Sequence, residues 1–207
     1  MPRASKLLTQ SHRREITAAS ARLMRERGIA GVTVADLMHA AGLTHGGFYG
    51  HFASKEALAA EACTQAFSES AERWKARAAT QPDTQAALRT LIQTYLSART
   101  RDNPGSSCPA VALACDVARE PMDSPVRAAF RSGTEHLIDV LSSLQAGGGS
   151  ASHRRRALAQ LSTLVGAVVL ARATSGTETS DEFLRAAREL LARQLDEAAA
   201  ATRLPVA

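Results

Sequence analysis

The chain has 207 residues, 45% of them hydrophobic and 22% charged, and its 25 Lys and Arg exceed its 20 Asp and Glu to give a net charge of +5. That length accommodates two units with ample buried core, while three widely spaced cysteines and a basic start, MPRASKLLTQSHRRE, without an apolar leader exclude a disulfide-stapled secreted fold. The longest apolar runs, Leu164 to Ala171 and Cys108 to Cys115, fall far short of the ~20 residues a spanning helix needs, so a cytoplasmic protein with no membrane segment is expected.

In chain order, Ile16, Ala19, Leu23 and Met24 stripe a first helix that ends at Gly28. A second helix begins after Thr33, a hydroxyl suited to capping, and carries Val34, Leu37, Met38 and Ala41 on one apolar face. Gly42 supplies the positive φ that reorients the chain, Leu43 plugs the corner, and Thr44 stands where a third helix would be capped. On that helix His45, Gly46, Gly47, Tyr49 and His51 are polar or small, while Phe48 and Phe52 point back to the core. Two short helices around a glycine turn read as a DNA-binding helix-turn-helix. Ser54 can cap the next helix, although Ala57 stands where a capping box wants Glu or Gln; its free amides, with Lys55, suit a phosphate. Charge follows the same division, with eight Lys and Arg against four acids up to Glu56 and seventeen against sixteen beyond it. Positive charge at one end lets counterion release from DNA drive binding.

Leu58, Cys63, Phe67 and Trp74 lie on a long fourth helix that ends near Pro82 and Asp83, and Leu88, Leu91, Ile92, Tyr95 and Leu96 pattern a fifth, closed by the turn Asp102 to Gly105. A sixth helix runs from about Pro109 to Arg119, and Val126, Phe130, Gly133, Leu137, Ile138, Leu141 and Leu144 mark a seventh before the linker Gly147 to Ser150. Leu158, Leu161, Val165 and Val168 stripe the eighth helix, and Phe183, Ala187, Leu190, Leu191 and Leu195 the ninth. The expectation is an all-α chain of about nine helices. Two such stripes from each of two subunits can close a four-helix bundle, so the last two helices are the expected homodimer interface. Arg154 to Arg156 reads as solvated surface.

The stretch comprising Gly28, Gly31 to Thr33, Ala41 to Leu43, Phe48-Tyr49-Gly50-His51-Phe52 and Lys55 to Leu58 resembles the TetR family of transcriptional regulators. The resemblance covers about the first quarter of the chain. It implies a helix-turn-helix domain at 9–56, with the motif at 33–52, followed by an effector-binding and dimerisation domain at 57–207. By that resemblance Thr33 and Lys55 would hold phosphates of an operator duplex, Thr44 and His45 would meet the major groove with Gly46 and Gly47 beside them, and Tyr49 and His51 would touch backbone or base edges. Arg3, Lys6 and Arg13 would add backbone contacts. The pair Gly46-Gly47 departs from the pattern: a second glycine weakens a short helix by roughly 1 kcal/mol and removes a side chain that could read a base.

The same resemblance implies a repressor released by a small-molecule effector, in a cavity that Phe67, Trp74, Tyr95, Phe130 and Leu137 could line. Cys108, before Pro109, falls at a helix start where the dipole favours thiolate, and Cys115 is two turns further along the same face. Some members of the family sense electrophiles or oxidants through a cysteine, and this segment is similar to theirs. A reading from a different class makes the chain a thiol-dependent enzyme or carrier using Cys108. Because no Walker-type glycine loop, GxSxG or HExxH occurs, no enzyme activity, metal or cofactor is expected.

Overall fold

Helical periodicity runs the length of the sequence, and the backbone follows it. The structure is a computed structural model that describes the backbone of residues 2–203 and the side chains of residues 8–200. Among the described residues there are α1 (Pro2–Arg27), α2 (Val34–Ala40), α3 (Lys55–Ala79), α4 (Thr84–Tyr95), α5 (Ala98–Asp102), α6 (Pro109–Val117), α7 (Pro125–Ser143), α8 (Ser150–Ala173) and α9 (Glu178–Arg203), with 3-10 segments at His45–Gly50 and Pro104–Ser106 and no strand. Arg3 and Lys6, expected as arm contacts, lie outside the described side chains. The short α5 and the second 3-10 segment stand where a plain turn was expected; α5 starts at Ser97, whose hydroxyl accepts from Thr100 N–H at 3.3 Å.

Compactness divides the chain into Met1–Glu69 with Pro104–Thr134, and Ser70–Asn103 with Glu135–Ala207. This differs from the linear boundary at 56 because the end of α1 needs partners from further along. Arg25, buried on α1, donates from Nη1 to the Ser107 carbonyl at 3.4 Å and pairs through Nη2 with Glu69 at 3.6 Å. Gly28 stops α1 with φ +79°, and the next amide, Ile29 N–H, donates to Asp116 Oδ2 on α6 at 2.8 Å. A Cβ on Gly28 would lie 2.8 Å from that same oxygen, so both the turn and the close approach need glycine.

In the second unit Asp83 caps α4 by accepting from Ala86 N–H at 2.8 Å, and α8 turns back into α9 through Gly176 at φ +87°. Arg172 fastens α5 to this pair by donating to the carbonyls of Arg101 and Thr100 at 3.0 and 2.9 Å. Arg101 reaches α9, bonding Ser180 Oγ at 2.9 Å and Asp181 Oδ1 at 2.6 Å. The α8 helix reaches a mean hydropathy of 1.2 over an 18-residue window, enough by length and composition to cross a membrane, although polar residues break its apolar runs. Its residues Ala157, Leu161, Leu164, Val168 and Ala171 are buried within the protein, which is how the core helix of a globular unit behaves.

The stripes expected at a subunit interface are mostly intrachain core. Leu161, Val168, Ala187, Leu191 and Leu195 are buried, whereas Leu158, Leu170 and Leu190 stay 43%, 46% and 41% exposed. A helix with apolar residues over a wide arc serves its own core with one edge and leaves the other for a neighbour.

Candidate nucleic-acid interface

Thr33 opens the site, and its hydroxyl is already engaged. Thr33 Oγ1 accepts from Asp36 N–H at 3.1 Å and donates to Asp36 Oδ2 at 2.6 Å, while Thr33 N–H donates to the same carboxylate oxygen at 2.8 Å. This reciprocal capping box starts α2, and the hydrogen bond from the Thr33 side chain holds the Asp36 carboxyl below its usual range. Asp36 had no role in the sequence-based expectation, although the Thr-x-x-Asp spacing carries the signal. At the other end Gly42, φ +72°, ends the helix, with Gly42 N–H on the His39 carbonyl and Leu43 N–H on that of Met38, each at 2.9 Å.

Beyond this turn the chain does not form the expected α-helix. His45–Gly50 is a 3-10 helix, and Thr44 makes no side-chain cap bond to it. Glycine occupies three of the six positions, each costing about 1 kcal/mol against alanine in an α-helix, and a segment this short cannot recover the cost of nucleation. Tertiary packing holds it instead. Phe48 and Phe52 are both buried, their rings stacked at 5.9 Å, each contributing about 1.5–3 kcal/mol of burial.

That anchoring leaves Thr44, His45, Gly46, Gly47 and Tyr49 exposed on one side, Tyr49 by 73%. His51 and Lys55 are half-buried, His51 with its ring edge-on to His12 at 6.1 Å. Ser54 caps α3 as expected, its hydroxyl accepting from Ala57 N–H at 3.0 Å, and Lys55 is the first residue of that helix. Arg13 is different from the expectation. Its guanidinium donates to the His51 carbonyl and to Glu61, and lies 4.3 Å from the centre of the Phe52 ring, so it is occupied within the protein.

Residues 16–62, which hold the stretch from Thr33 to Lys55, match the model of the tetR family of bacterial regulatory proteins. A TetR transcriptional regulator from Chloroflexus aurantiacus J-10-FL superposes with a TM-score of 0.73 at 26% identity, over 91% of this chain and 96% of that one. Residues 16–62 thus carry the tetR-type regulatory domain, and the chain as a whole shares the fold of TetR-family transcriptional regulators. The reduced form of E. coli NemR shares the fold, with a TM-score of 0.70 at 20% identity over 86% of this chain and 96% of its own. So does FadR from Bacillus subtilis, solved in complex with stearoyl-CoA, with a TM-score of 0.63 at 14% identity over 86% and 96% of the two chains. None of the curated proteins matches in sequence.

The aromatic residues expected around an effector cavity fall into two pairs. Phe67 and Phe130 meet edge to face at 5.2 Å in the first unit, and Trp74 and Tyr95 at 5.8 Å in the second, where Leu137 is also buried. The second unit holds a crevice of about 190 Å³ lined by residues that the sequence had not pointed to as an effector lining, among them Leu88, Leu144, Gln145, Arg156 and Leu195. These come from separate helices and their linkers, so no local pattern marks them.

The two cysteines at and within α6 differ in accessibility. Cys108 does stand before α6 with Pro109 first in the helix, yet it is only 4% exposed. Cys115, two turns further along, is exposed. Burial pushes the Cys63 thiol up to about 12.

Proposed function

We propose that the chain is a repressor that binds a palindromic operator as a cytoplasmic homodimer and releases it when a small molecule binds. The observation that carries this reading is the exposed face of Thr44, His45, Gly46, Gly47 and Tyr49 on a segment whose Phe48 and Phe52 are locked in the core, since a groove reader must be both bare and rigid. Thr44, His45, Tyr49 and His51 are the base and backbone contacts proposed. Gly46 and Gly47 allow close approach, and Lys55 with the first amides of α3 takes a phosphate.

Homodimerisation through α8 and α9 is supported by the exposed Leu158, Leu170 and Leu190. Phe67 with Phe130 in the first unit, and Trp74, Tyr95 and Leu137 in the second, are the apolar side chains proposed to admit an effector, and the ligand printed for FadR supports a lipophilic class. Cys115 replaces Cys108 as the thiol open to electrophiles, and the burial of Cys108 works against a thiol-dependent enzyme.

Selection of bound duplexes from random-sequence DNA tests this directly. Enrichment of a palindrome, bound with an affinity that falls steeply with salt and is relieved by a lipophilic or electrophilic compound, is the expected result. Failure to enrich any sequence ends the reading.

A further inference from the structure

We infer that Arg13 is a positioning residue for the DNA-reading segment rather than a DNA contact, an inference that rests on the operator-binding function proposed for this chain. Its side chain leaves α1 and meets three groups. Nη1 donates to the His51 carbonyl, which closes the 3-10 segment; Nη2 donates to Glu61 Oε1 on α3; and the guanidinium lies 4.3 Å from the centre of the Phe52 ring. The reading segment is therefore tied at its far end to α1 and α3.

The segment needs such a tie because its backbone supplies little stiffness of its own. Gly46, Gly47 and Gly50 lack side chains, and two turns of 3-10 helix have poorer hydrogen-bond geometry than an α-helix. Phe48 and Phe52 fix its depth in the core. The bond to the His51 carbonyl adds an anchor to the backbone at the end of the segment. Only a planar fork can hold a carbonyl and a carboxylate at once while stacking on a ring, which is why lysine is not equivalent here.

Electrostatics point the same way. Arg13 and Glu61 are 43% and 42% exposed, so their ion pair contributes little to stability. Because Glu61 offsets its charge, Arg13 releases no counterion on DNA binding and stands outside the set of residues that sets the salt dependence.

The test uses the full-length protein, a duplex enriched by it from random-sequence DNA, and a random duplex of the same length. For Arg13→Ala we expect about tenfold weaker binding to the enriched duplex, the scale of one lost base contact, with unchanged binding to the random duplex and an unchanged slope of log affinity against log salt. Arg13→Lys keeps one of the two bonds and should fall between Arg13→Ala and wild type. Glu61→Gln keeps the His51 and Phe52 contacts and should bind within about threefold of wild type. A merely structural role would lower the melting temperature and leave the ratio of specific to random binding in the folded protein unmoved, which would overturn the inference. So would equal losses on both duplexes with a slope reduced by about one, the signature of a phosphate contact. If Arg13→Ala fails to fold, Arg13→Lys decides by the same two readouts. Wild-type protein that enriches no sequence overturns the operator-binding function and this inference together, whereas enrichment with Arg13→Ala behaving as wild type overturns this inference alone.

Discussion

Two residues at the reading head show how one side chain can serve structure where function was expected. Thr33 was expected on a phosphate, yet its hydroxyl both accepts from and donates to Asp36, so its first duty is to start α2. Thr33→Ala should cost about 1 kcal/mol of stability, read as a lowered denaturation midpoint. Asp36 gives the pH dependence its sign. Its folded-state pKa lies below the ordinary 3.8, so its contribution is present at neutral pH and fades as pH falls below that value toward the depressed one. The stability gap between wild type and Asp36→Asn should therefore close in acid, and a gap that widens there would refute the capping account. Cysteine chemistry is read at the same scale. In the native protein a maleimide should modify Cys115 quickly, and Cys63 and Cys108 only after denaturant is added, which mass spectrometry of timed digests would show.

Among the elements, the 3-10 segment and α7 make opposite use of glycine. A Cβ at Gly46 would meet nothing within 4 Å, one at Gly47 only Met38 Cε at 3.7 Å, and neither residue has positive φ. Alanine at either position should thus stabilise the fold by about 0.4–1 kcal/mol while weakening operator binding, because bare backbone there serves the groove and not the core. Gly133 on α7 is the reverse case. A Cβ there would stand 2.2 Å from Phe67 Cγ, so Gly133→Ala should destabilise by about 1–3 kcal/mol or more in a urea titration. The helix spans themselves were largely legible: α1 stops at Gly28 as expected, and α8 and α9 are separated by the loop containing Gly176. The miss at His45–Gly50 arose because a capping threonine followed by spaced aromatics has the helical pattern but not the length or propensity to sustain it.

For the molecule as a whole, assembly is the property with the largest consequence. Leu158 and Leu170 lie on one i+4 row of α8 with Ser162 and Gly166 between them, a row of small residues that admits another helix. Leu158→Glu with Leu190→Glu should shift the protein to monomer in analytical ultracentrifugation without unfolding it. Operator affinity should drop with it, since pairing two reading heads across a two-fold axis is what matches a palindrome. A dimer that survives both changes would move the interface elsewhere.

The helical class, the place of the reading head and its anchor residues Phe48 and Phe52 follow from local pattern, because period, glycine punctuation and aromatic spacing are written in consecutive residues. The tetR-type regulatory domain was visible there too, in the run from Thr33 to Leu58 that the match over residues 16–62 encloses. Which cysteine is open, which leucines stay exposed, and where Arg13 directs its fork were settled only in three dimensions. Each depends on which faces of distant helices meet, and a helix with apolar residues over a wide arc, or a cation with several acceptors in reach, does not declare its choice until its neighbours are packed.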